Sequence, residues 1–540
     1  MGDSRSNAQT KERMSLSDAL LLDPFKFHVW LAVRSDGIKG SGTISDPYHC
    51  GDASAFDTLM TSFPENTTVH LGPSTLSSPF KTTGYKDGVG GGWTAKKGMR
   101  ILGSGVDVTY LQLEASSTGV FFAVGHAFGD ANQVDFFEIS DLTINCNLTG
   151  SDSDVAKGAV RIMGNHSMIR RVKAINWGTN AAARSAPVFS VITADTSAAT
   201  KKEAVNTGIV ECIATDPQGT ATASSMTVFH AGPNPTSGVP ENYGLAPYIR
   251  NCFADCGSPA HTCEFRGIVM AACRGGIVEG NQIHNTKIGG PYQTTGTTLE
   301  IVVRNNFYKN VAKAVYCSLA TVTPGTPTAL TTLVRDGADA SIAVAALTNH
   351  GLKQGERVKI DASAGTPAQF KGVFVIKSTT ANDFRYQMTS APGSDASSPT
   401  FQKVFGIGNL LFDANTIELA TGSTGQIAIH IDAATLTPET PDYAYGDIII
   451  RRNRIRYLDV QFDGSYTGTG IDAKGIRHLF VQDNVIECAP ADPLKYTRCG
   501  VARFFNNRTP GGTLVRGLDG TVKSTELETD AEDALLLALY

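Results

Sequence analysis

Between residues 250 and 490, apolar and polar positions alternate in short runs, and each run is broken by an asparagine. The copies read Ile277-Val278-Glu279-Gly280-Asn281-Gln282-Ile283 and Ile301-Val302-Val303-Arg304-Asn305-Asn306-Phe307, then Leu411 to Ile417, Ile449 to Ile455 and Phe480 to Ile486. Asn251 with Phe253 heads the series. Aligned on Asn251, Asn281, Asn305, Asn415, Asn453 and Asn484, the position two residues on holds Phe253, Ile283, Phe307, Ile417, Ile455 and Ile486. Three residues before the asparagine stand Val278, Val302, Phe412, Ile450 and Val481, whereas the next position mixes Glu279, Val303, Asp413, Arg451 and Gln482. A strand, a bend at the asparagine and a second strand produce such columns, because a period of two sends alternate side chains to one face.

The asparagines are spaced 30, 24, 110, 38 and 31 residues apart. About two dozen residues or somewhat more is one coil of a parallel β-solenoid, in which each coil buries its apolar face on its neighbours. Asparagine suits the bend because it tolerates the left-handed conformation, and stacked amides can bond one another along the axis. A β-sandwich with coincidental asparagine turns is the competing arrangement. Weaker copies at 139–144, 169–172 and 209–213 keep the apolar spacing without the asparagine. Aligning Ile213 with Phe253 puts Cys212 and Cys252 in one column.

The spacing of 110 predicts an insertion. Residues 321–405 open on Thr-Pro-Gly-Thr-Pro, and removing them leaves one coil. Within them, Gly355 to Ile360, Phe370 to Ile376 and Asn382 to Tyr386 alternate as strands between glycine turns, which predicts a small β domain. His350 reads as a turn or packing residue. Ala53 to Met60 predicts a short amphipathic helix and Thr67 to Leu71 a first strand. Ser17 to Leu22 and Ala531 to Tyr540 predict further short helices near the two ends.

The ladder resembles the right-handed parallel β-helix of the pectate-lyase-like superfamily, over roughly residues 35 to 515 apart from the insertion. Members of that superfamily commonly cap the open end with a helix like the one predicted at Ala53. The insert, with its His-Gly, Gly-x-x-Val-x-Ile and Phe-x-Tyr order, resembles a small module of phage structural proteins. The resemblance therefore implies an all-β fold of the phage tailspike or tail-fibre type. The expected organisation is an attachment segment at 1–34, solenoid at 35–320, insert at 321–405, solenoid at 406–518 and a tail at 519–540.

Composition narrows the class. The 540 residues carry 46 Lys+Arg and 51 Asp+Glu, a net charge of −5, which argues against a nucleic-acid partner. Hydrophobic residues at 41% exclude global disorder. The ten cysteines include no Cys-x-x-Cys pair, so buried free thiols are expected rather than a zinc site. The first residues have no apolar signal region, and no run approaches the ~20 apolar residues of a membrane span. Synthesis in the cytoplasm without a signal peptide, and no membrane insertion, are expected.

Candidate chemistry rests on carboxylates. The Gly-x-Ser-x-Gly elbow, phosphate loop, dinucleotide fingerprint and polygalacturonase-like motif set are absent, and no cofactor or metal is expected. Glycoside hydrolysis needs two carboxyl groups about 5–9.5 Å apart, a spacing that neighbouring coils provide. Asp463 and Asp472, and Glu264 upstream, are the catalytic candidates; Tyr457, Phe462 and Tyr466 are candidates for stacking on sugar rings. The sequence points to a tailspike- or fibre-like component of a phage or contractile injection particle, in which resemblance implies a homotrimer attached through its N-terminal segment and facing a cell-surface polysaccharide. A free polysaccharide lyase or hydrolase and a non-catalytic adhesive solenoid are the alternatives.

Overall fold

The computed structural model describes residues 27–508 and 518–519, less positions 88, 498 and 500 and the segments 115–117, 127–132, 150–153, 182–185, 196–201, 220–224, 234–242, 258–263, 294–297, 319–326, 405–406, 421–425, 433–443, 458–468 and 488–493. The helices predicted at Ser17 and Ala531, and Asp463, Phe462 and Tyr466, lie outside the described residues.

The chain is a parallel β-helix. Its coils feed two large sheets. In the first, of 26 strands, a coil lays down two short strands on either side of a bend; in the second, of 15 strands, it lays down one. Neighbouring coils pair in parallel register. Before the bend, Ile249, Val278, Val303, Phe412, Ile450, Val481 and Phe504 stack in one inward column. After it, Ala254, Ile283, Tyr308, Ile417, Ile455 and Ile486 form another. These side chains belong to one continuous core running the length of the solenoid. Each large aliphatic rung withdrawn from water contributes about 1.5–3 kcal/mol, so the columns supply most of the cohesion between coils.

Two copies of the repeat sit one residue out of the register that the asparagine alignment suggests. Asn281 stacks on Cys252 and Asn306, not on Asn251 and Asn305. A one-residue slip reverses the pleat. Phe253 and Phe307 therefore pair with Gln282 and Thr416 on the outer face, and Val303 rather than Val302 enters the core. The division of labour at the bend differs as well. The left-handed conformation is taken by the residue before the ladder position: Asn251 (φ 54°), Gly280 (68°), Asn305 (56°), Ala414 (53°), Arg452 (54°), Asp483 (55°) and Asn506 (49°).

The asparagine that follows turns its side chain inward. Asn281, Asn306, Asn415, Asn453, Asn484 and Asn507 are buried, and the Nδ2 of each of the first five donates to the Oδ1 of the next over 2.8–3.0 Å. The same Oδ1 also accepts the neighbour's backbone N–H, as from Asn453 N to Asn484 Oδ1 (2.9 Å). Every rung thus satisfies the polar groups that the bend leaves unpaired inside the core.

The N-terminal end is closed by the helix Ala53–Ser62, whose N-cap Asp52 accepts from Ala55 N (2.8 Å). Its Phe56 and Met60 are buried, with Phe56 against Phe80 and Trp93. Between the strands Lys313–Ser318 and Ile407–Asp413 the chain leaves the solenoid for a seven-stranded antiparallel sheet with its own core, built on Leu333, Val358, Ile360, Phe370, Phe384 and Tyr386. His350 packs on Phe384, and its Nε2 lies 3.0 Å from Thr380 O, a packing role as expected. The insert leans on upstream coils: Lys353 pairs with Glu203 over the Tyr243 ring, and Val373 meets Leu299 and Val404.

Candidate functional site

The second sheet carries one outward column whose members change character along the axis. Register places Arg161, Ser190, His230 and Val269 upstream, followed by Tyr292, Tyr316, His430, Asp472 and Lys495. Strict alternation in the strands Ile427–Asp432 and Thr469–Lys474 is the local cause. Ile429, Ile431, Ile471 and Ala473 enter the core, which turns His430, Asp432, Asp472 and Lys474 away from it; Asp432 and Lys474 are half-buried, whereas His430 and Asp472 are buried, 9% and 7% exposed.

Because a ladder step is ~4.8 Å, equivalent rings fall at stacking distance. Tyr292 and Tyr316 stack at 5.5 Å between centroids and Tyr316 and His430 at 5.2 Å, both at 13° between planes. Arg266 lies over Tyr292 at 4.0 Å and Lys313 over Tyr316 at 4.7 Å. The rings face one another, so their edges are what they turn outward.

Acids flank the stack. His430 Nδ1 is 3.4 Å from Asp472 Oδ2, a contact at the long limit of hydrogen bonding. Burial raises the Asp472 carboxyl, but contact with His430 and the charges of Lys474 and Lys495 outweigh it and hold the group below its ordinary value. Asp472 is therefore an anion at neutral pH. Glu264 is governed by the same balance: burial raises it, while Arg266 (2.8 Å) and Lys287 (3.1 Å) prevail and lower it.

The sequence candidates divide. Asp472 and Glu264 are both on this face, but four ladder steps, about 19 Å, separate their coils, which exceeds the separation two carboxyl groups need to flank one glycosidic bond. Tyr457 is on a first-sheet strand, paired with Leu419, and so does not join this column. The sequence reading missed Asp432. Lys474 Nζ stands 3.8 Å from Asp432 Oδ2 and 3.7 Å from Asp472 Oδ2. These two oxygens are consequently no more than about 7.5 Å apart, below the upper limit for a carboxylate pair across a glycosidic bond. The available signal was the alternation Ile429-His430-Ile431-Asp432, which places Asp432 on the same face as His430.

A cleft of about 680 Å³ lies elsewhere, against the capping helix, lined by Asp52, Asp57, Thr83 and Glu114 among others. Its buried acid, Asp57, is already engaged by Thr82 Oγ1 (2.6 Å) and Thr83 N (3.0 Å), which makes it a structural carboxylate. Among the described residues no three metal-ligating side chains converge, and no helix is long and apolar enough to cross a membrane.

No family model matches the chain, and no curated protein does. Solved structures similar to it include PfbA, a surface adhesin of Streptococcus pneumoniae, at 10% identity and a TM-score of 0.48 over 92% of this chain and 96% of that one. The polygalacturonase of Erwinia carotovora is similar at 9% identity and a TM-score of 0.31, over 92% and 96%. ORF18 of Geobacillus virus E2 is similar at 11% identity and a TM-score of 0.26, over 73% and 82%.

Proposed function

We propose that this protein is a tailspike- or fibre-like component of a phage or contractile injection particle and contacts a cell-surface glycan with the outer face of its second sheet. The observation that carries the reading is the Tyr292–Tyr316–His430 stack continued by Asp472, an aromatic and acidic rail along the solenoid axis. Phenol edges, an imidazole and ionised carboxylates are the groups that hydrogen-bond sugar hydroxyls, and a column of parallel strands repeats them at intervals close to one sugar ring. Residues 1–34 serve as the attachment segment, and the working assembly is a homotrimer.

The separation of Asp432 and Asp472 favours a further reading within this one, glycan hydrolysis. Asp472, held as an anion, suits the base or nucleophile, and Asp432 is the second carboxyl group of the pair. Incubation of the full chain with purified capsular and lipopolysaccharide glycans tests both readings. Retention on a glycan column, lost in Tyr316→Ala and His430→Ala, is the expected result for contact. Release of reducing ends, abolished in Asp472→Asn and Asp432→Asn with retention unchanged, is expected for hydrolysis. Retention without reducing ends leaves an adhesive solenoid. Because Phe27–Ala32 is a strand of the first sheet and Leu31 lies in the core, the deletion that tests attachment stops short of it: removing residues 1–26 should abolish incorporation into particles while the solenoid stays folded, and normal incorporation would defeat the particle assignment.

A further inference from the structure

We propose that the glycan taken by this face is anionic, and that Lys313 and Lys495 are the residues that select it. This rests on the glycan-contacting reading above. Among the described residues, the charges around the ring stack do not cancel. Three described carboxylates flank it and each is already held by a cation: Glu264 by Arg266 and Lys287, Asp432 and Asp472 by the shared Lys474. Two ammonium groups are left over. Lys313 is half-buried over the Tyr316 ring, and Lys495 is exposed beside Asp472 in the outward column; neither has a carboxylate partner within 4 Å among the described residues.

The two lysines occupy different energetic positions. Lys313 has lost part of its hydration to the sheet surface, so burial pulls its pKa down, against the opposing pull of Glu264 and Asp472. A partly desolvated ammonium gains more from an incoming anion than a fully hydrated one does, because less water remains to be displaced and the local dielectric is lower. Lys495 is a hydrated point charge that steers a ligand and adds less on contact. Their coils are three ladder steps apart, about 14 Å along the axis. A polysaccharide lying along the rail therefore meets them with negative groups on sugars that are not adjacent. A neutral chain would leave both ammonium groups uncompensated under it, at a cost in desolvation that an anionic chain avoids.

The test uses the full chain and matched pairs of polysaccharides: hexuronate-, sialate- and sulfate-bearing chains, each beside its carboxyl-reduced or desulfated form. At least one anionic chain should be retained about tenfold more strongly than its neutralised form at low salt, and the preference should shrink as ionic strength rises. Lys313→Met keeps the aliphatic stem over Tyr316 and should remove most of the preference without loss of thermal stability, whereas Lys313→Arg should retain it. Lys495→Met should produce a smaller loss. Equal retention of charged and neutralised chains overturns this inference and leaves the glycan-contacting reading intact. Retention of no chain overturns both. A preference that survives Lys313→Met and Lys495→Met together overturns the assignment of these two residues.

Discussion

The coils on either side of residue 281 build the same bend in two ways. Upstream, the interior position after the left-handed residue is filled by Leu142, Val172, Cys212 and Cys252; downstream it is filled by asparagine without interruption to Asn507. The two thiols show how one arrangement passes into the other. Cys212 Sγ reaches Ile169 O (3.5 Å) and Val210 O (3.4 Å), the places that Asn453 Nδ2 takes at Phe412 O and Arg451 O (both 3.0 Å). A thiol makes the weaker version of the amide's contacts but has no acceptor strong enough to bond the coil before it. The outer column changes over the same stretch, from Arg161 and Ser190, which are buried, to the Tyr292–His430 stack. The general lesson is that a solenoid rung is read by its neighbours, so one residue type is right or wrong according to the rung beside it.

That comparison is open to breakage. The largest effect is expected from Asn453→Ala, which leaves polar groups of Asn415 and Asn484 unpaired in the core; a loss of about 3 kcal/mol or more should appear in denaturant unfolding. Val172→Asn places the same amide between Leu142 and Cys212, where no second amide receives it, and should cost about 2 kcal/mol. Cys252→Asn should instead stabilise by about 1 kcal/mol, because Asn281 already offers Oδ1 to the backbone N–H of residue 252 and would gain an amide donor as well. If the last two substitutions gave the same sign, rungs would not be read by their neighbours.

Ala414→Gly should raise stability by about 0.5 kcal/mol, the left-handed strain at φ 53° exceeding the added chain entropy of glycine. The smallest effect belongs to the outer column. Since the Asp472 pKa is depressed on folding, its stabilising contribution is complete above the ordinary carboxylate range, near pH 4, and is lost as pH falls through the folded value. Thermal unfolding of Asp472→Asn should accordingly lack part of the decline that the unaltered protein shows below pH 4.

Much of the fold was legible because the coil period leaves large apolar residues at fixed offsets. Ile283, Ile417, Ile455 and Ile486 are in the core as their spacing requires, and Cys212 and Cys252 share a column. Phe253 and Phe307 were not legible. Each follows a pair of candidate positions, Asn251-Cys252 and Asn305-Asn306, and an apolar ring is tolerated on either face of a half-exposed strand. The candidate site was legible only in part. Glu264 and Asp472 were recognisable as acids near turns, but Asp432 gains its meaning from Lys474 on the next coil.

The sequence alone determined the repeat, most of the asparagine rungs and most of the core columns, because each depends on spacing within a coil and periodicity is local; the register of the copies at Asn251 and Asn305 was not among them. Only the tertiary structure decided which residues of different coils touch. Tyr316 and His430 are 114 positions apart with the whole insert between them, yet one ladder step brings their rings to 5.2 Å. The second-sheet face is assembled wholly from such contacts, because stacking of coils, rather than order along the chain, sets what stands beside each of its side chains.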